Sequence, residues 1–172
     1  MSLSIVTLLL VFVAFPALII YAAVSDVLSL KISNWISLAL LASFLVAALL
    51  TGLPWSMIGL HAATGFVVLL IGFMCFAFGW IGGGDAKVAA STALWFGLAN
   101  TMNFLLLSSV IGGLLTLALL IIRRWPLPAW ALSRTWIARL HDPKTGVPYG
   151  VALGAAALLV YPNTVWVSGL NF

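Results

Sequence analysis

The length of the uncharged apolar stretches constrains this chain more than any other feature. Residues 88–122 carry no charged side chain at all. Over the whole chain, hydrophobic residues make up 65% of the 172 residues and charged residues only 6%. A soluble domain needs far more polar surface than this, whereas a membrane-spanning helix needs about 20 mostly apolar residues. Residues 1–172 are therefore predicted to form a single polytopic membrane domain.

Short polar breaks between the apolar segments predict six transmembrane helices. We place these spans at about residues 3–24, 35–50, 55–80, 86–98, 104–122 and 147–167. The fourth is short because a polar break at residues 100–103 divides a run that is too long for one span. Pro16 predicts a kink in the first span. In the third, Gly65, Gly72 and Gly79 recur every seven residues and predict one face for close helix packing.

The segment between the fifth and sixth spans contains a predicted amphipathic helix at residues 129–141. Its apolar side chains recur at helical spacing, namely Leu132, Trp136, Ile137 and Leu140. Arg134 and Arg139 lie elsewhere on the helical wheel. Such a helix lies in the membrane interface, and its basic residues suit anionic lipids better than nucleic acid. The predicted fold is all-α, with six transmembrane helices, a short fourth helix and this interfacial helix.

The basic residues predict the orientation of the chain. If it crosses the membrane six times, one set of loops holds every lysine and arginine: Lys31, Lys87, Arg123, Arg124, Arg134, Arg139 and Lys144. The opposite loops, near residues 51–56 and 99–103, carry no charge. Basic loops stay in the cytoplasm. Both termini are therefore predicted to lie outside, with the charged loops in the cytoplasm.

Asp26, Asp85 and Asp142 are the three acidic residues. Asp142, next to Pro143, is interpreted as a turn residue. Placing an aspartate against a membrane span costs free energy, so Asp26 and Asp85 are candidates for a functional role. The predicted topology places both on one side at similar depth. Two neighbouring carboxylates share one proton, so one can accept a proton from water while the other polarises a carbonyl. This arrangement indicates amide hydrolysis.

Several alternatives bear on this interpretation. Asp85 could simply cap a helix N-terminus, whereas Asp26 follows a span, where the helix dipole disfavours an anion. His61 precedes Asp85 by about 36 Å of helix and is interpreted as an interfacial or packing residue. Cys75 is the only cysteine, so a thiolate zinc site is excluded, and no metal or cofactor is expected. A small proton-coupled transporter is the rival function, although it would need carboxylates near the bilayer midplane.

Two motifs then make a family resemblance specific. Asp26 followed by Ile32-x-Asn34, and Gly82-x-Gly84-Asp85-x-Lys87, resemble the motifs of prepilin peptidases, membrane aspartic proteases of the Gly-x-Gly-Asp class. The segment 147–150, Val-Pro-Tyr-Gly, also resembles the small members, and the likeness extends over essentially the whole chain. The resemblance implies that Asp26 and Asp85 are catalytic. Supporting roles are expected for four neighbours: Asn34, Gly82, Gly84 and Lys87.

The resemblance also implies a substrate and a location. The substrate is a type IV prepilin or pseudopilin precursor, with a basic leader before an apolar helix, cut at the cytoplasmic side of the bacterial inner membrane. Asn34 is expected to act as a loop or cap residue with a supporting hydrogen bond. Lys87 is expected to act as an interfacial anchor, with stabilisation of the ionised aspartate pair as the alternative. The oligomeric state stays open.

The chain departs from the family pattern in two ways. Ser33 stands where family members often have proline, which is expected to change the stiffness of the turn slightly. Larger members also carry paired CxxC motifs and N-methylate the new amino terminus, whereas this chain has one cysteine. Methyltransferase activity is therefore not expected, and the size fits the small peptidases of tight-adherence (Flp) pili. A non-enzymatic assembly factor of a pilus or secretion machine remains an alternative.

Overall fold

The computed structural model of the protein describes residues 5–168, and every regular element within that range is a helix. Four of these helices are long and apolar enough to cross a membrane: α1 (Ile5–Ser29), α2 (Asn34–Thr51), α3 (Trp55–Ala77) and the helix Gly83–Ile122. The protein is therefore an all-α, multi-pass membrane protein, as predicted. The start of the first predicted span, before residue 5, lies outside the described residues.

Gly97 divides the 40-residue helix that follows α3, because its backbone (φ 61°, ψ −175°) is not helical. The two halves are α4 (residues 83–96) and α5 (residues 98–122). They fold back on each other, since the ring centroids of Phe96 and Phe104 lie 5.3 Å apart. A straight helix would separate these two positions by about 12 Å along its axis. The predicted short helix before the reversal is thus present, while the total of six crossings stays a prediction.

The predicted position of this break was wrong. Residues 100–103 are helical, and the chain turns at Gly97 instead. A backbone with this combination of φ and ψ is open essentially to glycine alone. The hydroxyl of Thr101 donates a 2.6 Å hydrogen bond to the carbonyl of Gly97. Thr101 therefore supports the first turn of α5, and the polar residues after the turn do not interrupt the helix.

Replacing Gly97 with alanine is expected to destabilise the protein. A Cβ there would lie 2.7 Å from Nε2 of His61, in addition to the backbone conformation it would disfavour. The backbone strain alone costs about 1–3 kcal/mol. Thermal unfolding in detergent should show a lower midpoint for Gly97→Ala. The control Gly59→Ala, with no atom within 4 Å of its Cβ, should unfold at or above the wild-type temperature. Equal midpoints for both variants would contradict the assignment of the turn.

Close packing between α3 and α4 depends on two of the three predicted glycines. A Cβ on Gly65 would lie 3.1 Å from the carbonyl oxygen of Ala90, and one on Gly72 would lie 3.0 Å from the Cβ of Ala86. Gly79 does not belong to this face, because α3 ends at Ala77 rather than near residue 80. Its positive φ of 74° lets the chain leave the helix. The contact fixes α4, which carries Asp85, against α3.

The segment after α5 contains two short helices instead of the single predicted one. They are α6 (Ala129–Leu132) and α7 (Thr135–His141). Arg134 between them is extended, and the hydroxyl of Ser133 donates to the carbonyl of Trp130. The serine side chain thus caps the end of α6, which breaks the continuous helix. That this segment lies in the membrane interface stays a prediction.

The last part of the chain forms α8 (Tyr149–Val160), a 3₁₀ turn (Tyr161–Asn163) and α9 (Val165–Ser168). The hydroxyl of Tyr161 donates a 2.8 Å hydrogen bond to the carbonyl of Val11. Val11 lies in a π-helical turn, Leu10–Ala14, directly before Pro16. The hydrogen bond ties the end of α8 to this π-helical turn of α1, and the kink predicted at Pro16 stays a prediction.

Buried aromatic side chains fill the bundle away from Asp85. Here His61 is 3% exposed, its Nδ1 lies 2.8 Å from the carbonyl oxygen of Leu94, and its ring stacks on Phe44 at 5.6 Å. This confirms the packing role predicted for His61.

Candidate active site

Asp26 lies on the last turns of α1 and is only 6% exposed. Its Oδ2 accepts a 2.7 Å hydrogen bond from the backbone N–H of Gly150. Gly150 is in the first turn of α8, where free N–H groups and the helix dipole favour an anion. The dipole of α1 disfavours a carboxylate at this position, and the start of α8 offsets that effect. Asp26 therefore also has a structural partner, which the sequence analysis did not find.

Asp85 lies in the first turn of α4, three positions after the N-cap residue Gly82. Its carboxylate accepts a hydrogen bond from the backbone of Gly82. This resembles a capping box, in which the side chain at the third helical position reaches back to the cap. The predicted capping role is therefore present. However, Oδ1 of Asp85 is buried and has no hydrogen-bond partner within residues 5–168, so one oxygen of this group is not used by the fold.

Asp26 and Asp85 line one cavity of about 300 Å³, and their charges are close enough to interact. Its remaining wall comes from two connections, residues 30–32 after α1 and residues 82–84 before α4. The two aspartates are far apart in the sequence and are borne by different helices. The cavity thus brings together the pair that the sequence analysis predicted to lie on one side.

The glycines of the Gly-x-Gly-Asp motif explain how the start of α4 approaches the connection after α1 so closely. A Cβ on Gly82 would lie 2.7 Å from Oδ2 of Asp85. A Cβ on Gly84 would lie 3.1 Å from the Cβ of Ile32, in the connection after α1. A side chain on Gly82 would displace the carboxylate of Asp85, and one on Gly84 would force Ile32 to shift by a few tenths of an ångström. Gly82 therefore gives Asp85 space to cap the helix, and Gly84 lets α4 begin directly against the connection that follows Asp26.

Asn34 and Lys87 interact with each other and not with the aspartates. The ammonium of Lys87 donates a 2.8 Å hydrogen bond to Oδ1 of Asn34. Neither residue lines the cavity that contains Asp26 and Asp85. Their contact joins the first turns of α2 and α4 beside the cavity. Among the predicted supporting residues, the structure therefore gathers Gly82 and Gly84 at the aspartates and leaves Asn34 and Lys87 next to them.

The basic segment after α5 also reaches this end of the bundle. Nη1 of Arg139 donates a 2.9 Å hydrogen bond to the carbonyl of Leu28, near the end of α1. Nε of Arg123 donates at 2.8 Å to the carbonyl of Leu140. Arginine at the carboxyl end of a helix satisfies free carbonyls and suits the helix dipole. These contacts tie the basic segment to the helix that bears Asp26.

Two residues of the site were missed in the sequence analysis. Gly150 acts through a backbone N–H, which leaves no mark in composition or spacing, although the segment 147–150 had been noted for its family likeness. Arg139 was interpreted as a signal of chain orientation and as a charge facing anionic lipid, because no local pattern links it to Leu28, 111 positions away. Both contacts depend on the tertiary fold.

Three of the residues that line the cavity have ionisable side chains: Asp26, Asp85 and Lys31. Within residues 5–168, no group of three or more His, Cys, Asp or Glu side chains comes together. The arrangement offers one carboxylate held by a helix N-terminus and a second with an unpartnered oxygen. Two such groups can bind a water and pass protons to and from a substrate.

Comparison with known families identifies the chain. A family model described as the type IV leader peptidase family matches residues 6–117, more than half of the chain. No curated protein and no solved structure matches significantly. The matched region contains both aspartates and stops before the segment 147–150, so it is shorter than the likeness noted in the sequence. The protein belongs to the type IV leader peptidase family.

Proposed function

We propose that residues 1–172 form one aspartic endopeptidase domain that removes the basic leader from a type IV prepilin or pseudopilin, with Asp26 and Asp85 as the catalytic pair. Family membership supports the reaction class. One observation supports the pair most strongly: both carboxylates line the same cavity, and Oδ1 of Asp85 is buried without a partner. A buried polar atom left unpaired costs free energy, so its retention suggests a use other than folding.

The proposed reaction uses one water and one proton shared by the pair. The ionised carboxylate accepts a proton from water as the water oxygen bonds to the carbonyl carbon of the peptide. The protonated carboxyl donates a hydrogen bond to the carbonyl oxygen and polarises it. The carbon–nitrogen bond then breaks, and the departing nitrogen takes up a proton from the pair. Because the two groups titrate as one system, we assign the proton to neither residue.

We propose supporting roles for the four neighbouring residues. Gly82 and Gly84 allow the close approach of α4 described above. The hydrogen bond between Lys87 and Asn34 holds the starts of α2 and α4 together, and so keeps the connection containing Ile32 in place. Lys87 is exposed and also suits an anchoring role at the membrane surface.

The proposed topology has six crossings of the bacterial inner membrane, with the catalytic pair at the cytoplasmic face and both termini outside. Three observations support it. The reversal at Gly97 supplies the short fourth helix, and the basic residues follow the positive-inside rule. Arg139 also joins the basic segment to the end of α1 near Asp26. We propose that this segment, with its exposed Trp125 and Trp130, lies against anionic lipids.

We further propose that the protein lacks N-methyltransferase activity and belongs with the small peptidases of Flp pili. Paired CxxC motifs need four cysteines, and the chain has one, Cys75. Two alternatives, a proton-coupled transporter and a non-enzymatic assembly factor, predict no cleavage and are tested by the same experiment.

The test is incubation of the purified protein, in vesicles, with a precursor of basic leader followed by an apolar helix. Mass spectrometry of the products should show the leader and a mature chain whose masses sum to the precursor plus one water. The mature chain should carry no added methyl group when a methyl donor is supplied. An unchanged precursor would contradict the proposed function. A transporter would instead accumulate solute in the vesicles.

A further inference from the structure

Ile32, in the connection between α1 and α2, touches the starts of two helices that act on the aspartate pair. A Cβ on Gly84 would lie 3.1 Å from the Cβ of Ile32 and 3.4 Å from its carbonyl oxygen, so Ile32 lies directly against the start of α4. A Cβ on Gly150 would lie 3.0 Å from Cδ1 of Ile32, at the start of α8. Ile32 also lines the cavity that contains Asp26 and Asp85. One side chain therefore contacts both the helix that carries Asp85 and the helix whose N–H holds Asp26.

The turn that leads to Ile32 has an unfavourable backbone conformation. Within residues 5–168, Leu30 is the only residue other than glycine with a positive φ, at 52°. A residue with a side chain rarely adopts this left-handed conformation. The N–H of Leu30 donates a 2.7 Å hydrogen bond to the carbonyl of Asp26, so the turn is attached to the backbone of Asp26 itself. Such strained residues persist only where their surroundings fix them, and they cluster at functional sites.

Two serine hydroxyls on the last turns of α1 fix the end of this turn. The hydroxyl of Ser25 donates a 3.0 Å hydrogen bond to the carbonyl of Lys31. The hydroxyl of Ser29 lies 3.1 Å from the same carbonyl oxygen and 2.7 Å from the carbonyl oxygen of Ser25. The carbonyl that both serines approach belongs to the residue directly before Ile32. The end of α1, which carries Asp26, therefore also determines where Ile32 lies.

We propose that Ile32 is a positioning residue that sets the separation of the two carboxylates, and that Ser25 and Ser29 hold it in place. This inference rests on the proposed function. Ile32 has no group that transfers protons, so it acts through Asp26 and Asp85. Their separation matters because a water and a peptide carbonyl must fit between them, and a displacement of about 1 Å can cost a factor of about 100 in rate. Two carboxylates also share one proton only while they lie close together.

The first test replaces Ile32 and compares cleavage rates per mole of folded protein. Ile32→Ala removes the contact with α8 and should lower kcat about 10- to 100-fold, with KM unchanged, because Ile32 is not proposed to bind the substrate. Ile32→Val keeps the branched Cβ against Gly84 and loses only the flexible Cδ1, so its kcat should lie closer to the wild-type value. Ile58→Ala is the matched control, because Ile58 also packs half-buried against the core but lies in the first turn of α3, at the end away from Asp85. Its kcat should equal that of the wild-type protein.

The dependence of kcat on pH gives a second readout, which a loss of packing alone would not change. Carboxylates that move apart ionise more independently, so the pair holds a single proton over a narrower range of pH. The pH range in which kcat exceeds half of its maximum should therefore be narrower for Ile32→Ala than for the wild-type protein. The other ionisable groups near the pair are Lys31 in the same cavity, Cys75 and Tyr149 in a neighbouring cavity that Asp85 also lines, and Arg139 at the end of α1. The substitution replaces none of them.

Replacing both Ser25 and Ser29 with alanine gives an independent test if Ile32→Ala does not fold. Both hydroxyls are exposed, and alanine favours a helix more than serine does, so the fold should be retained. The kcat of this double variant should fall about three- to tenfold, as expected when modest hydrogen bonds are lost. Threonine at both positions keeps the hydroxyls and should restore the rate. An unchanged kcat in folded Ile32→Ala or in the double alanine variant, or an equal loss in Ile58→Ala, would overturn the inference. Absence of cleavage by the wild-type protein would instead count against the proposed function itself.

Discussion

Asparagine in place of Asp85 should abolish leader removal while leaving the fold intact. Losing a positioned acid–base group typically costs a factor of about 10²–10⁴ in rate. An asparagine amide has nearly the same shape as the carboxylate but can neither accept the proton of water nor donate a shared one. Cleavage rates measured by product mass in purified, vesicle-reconstituted protein should fall to the limit of detection.

The environment of Asp85 makes this substitution structurally mild. Its hydrogen bond with the backbone of Gly82 needs only an acceptor, which the asparagine side chain retains. The buried Oδ1 has no partner within residues 5–168, so no further contact is broken. Thermal unfolding of Asp85→Asn should therefore match the wild-type protein. Loss of activity together with an intact fold would separate catalysis from capping.

Asp26→Asn should give the same loss of activity for the same chemical reason. The asparagine oxygen can still accept the N–H of Gly150, so the contact between α1 and α8 should survive. Asp142→Asn is the matched control, because Asp142 is exposed and its Oδ1 accepts only the backbone N–H of Lys144 in a turn. That variant should cleave at the wild-type rate. Robust cleavage by either Asp26→Asn or Asp85→Asn would remove the catalytic assignment.

The sequence was sufficient to predict the features that depend on composition and charge. Long uncharged runs predicted apolar helices, and four helices of residues 5–168 are long enough to cross a membrane. The one-sided lysines and arginines predicted that Asp26 and Asp85 lie on the same side, because both signals act over whole segments. The shared cavity agrees with that placement. The catalytic roles stay a prediction, since geometry alone does not establish chemistry.

Features that depend on single backbone positions were not predictable in this way. Residues 100–103 looked like a break because of their polarity, but Gly97 made the turn, and one glycine among fifteen carries no distinguishing signal. The end of α3 was misplaced for a similar reason, since Gly79 matched the packing repeat and instead ended the helix. Gly150 contributes an N–H group that every residue except proline possesses. Only the tertiary fold selects which of these groups is used.

Substitution of Gly150 is expected to have the second large effect on activity, because this residue positions Asp26 through its backbone N–H. A Cβ at this residue would lie 2.9 Å from Oδ2 of Asp26 and 3.0 Å from Cδ1 of Ile32. The end of the Ile32 side chain can rotate away, but the first contact cannot be relieved without moving the carboxylate of Asp26. Gly150→Ala should therefore displace Asp26 from its donor and lower kcat about 10- to 100-fold, the equivalent of one hydrogen bond to a charged group, roughly 1.5–3 kcal/mol.

Two measurements distinguish this positioning role from general damage to packing. Alanine favours a helix over glycine by roughly 1 kcal/mol, so Gly150→Ala should not unfold much more easily than the wild-type protein. Gly154→Ala is the matched control on the same helix, because its Cβ would lie 3.0 Å from the Cβ of Ala23 on α1 and touch no carboxylate. If kcat falls equally in both variants, crowding between α1 and α8 explains the effect. If kcat falls only in Gly150→Ala, with KM unchanged, the start of α8 holds Asp26 in its reactive position.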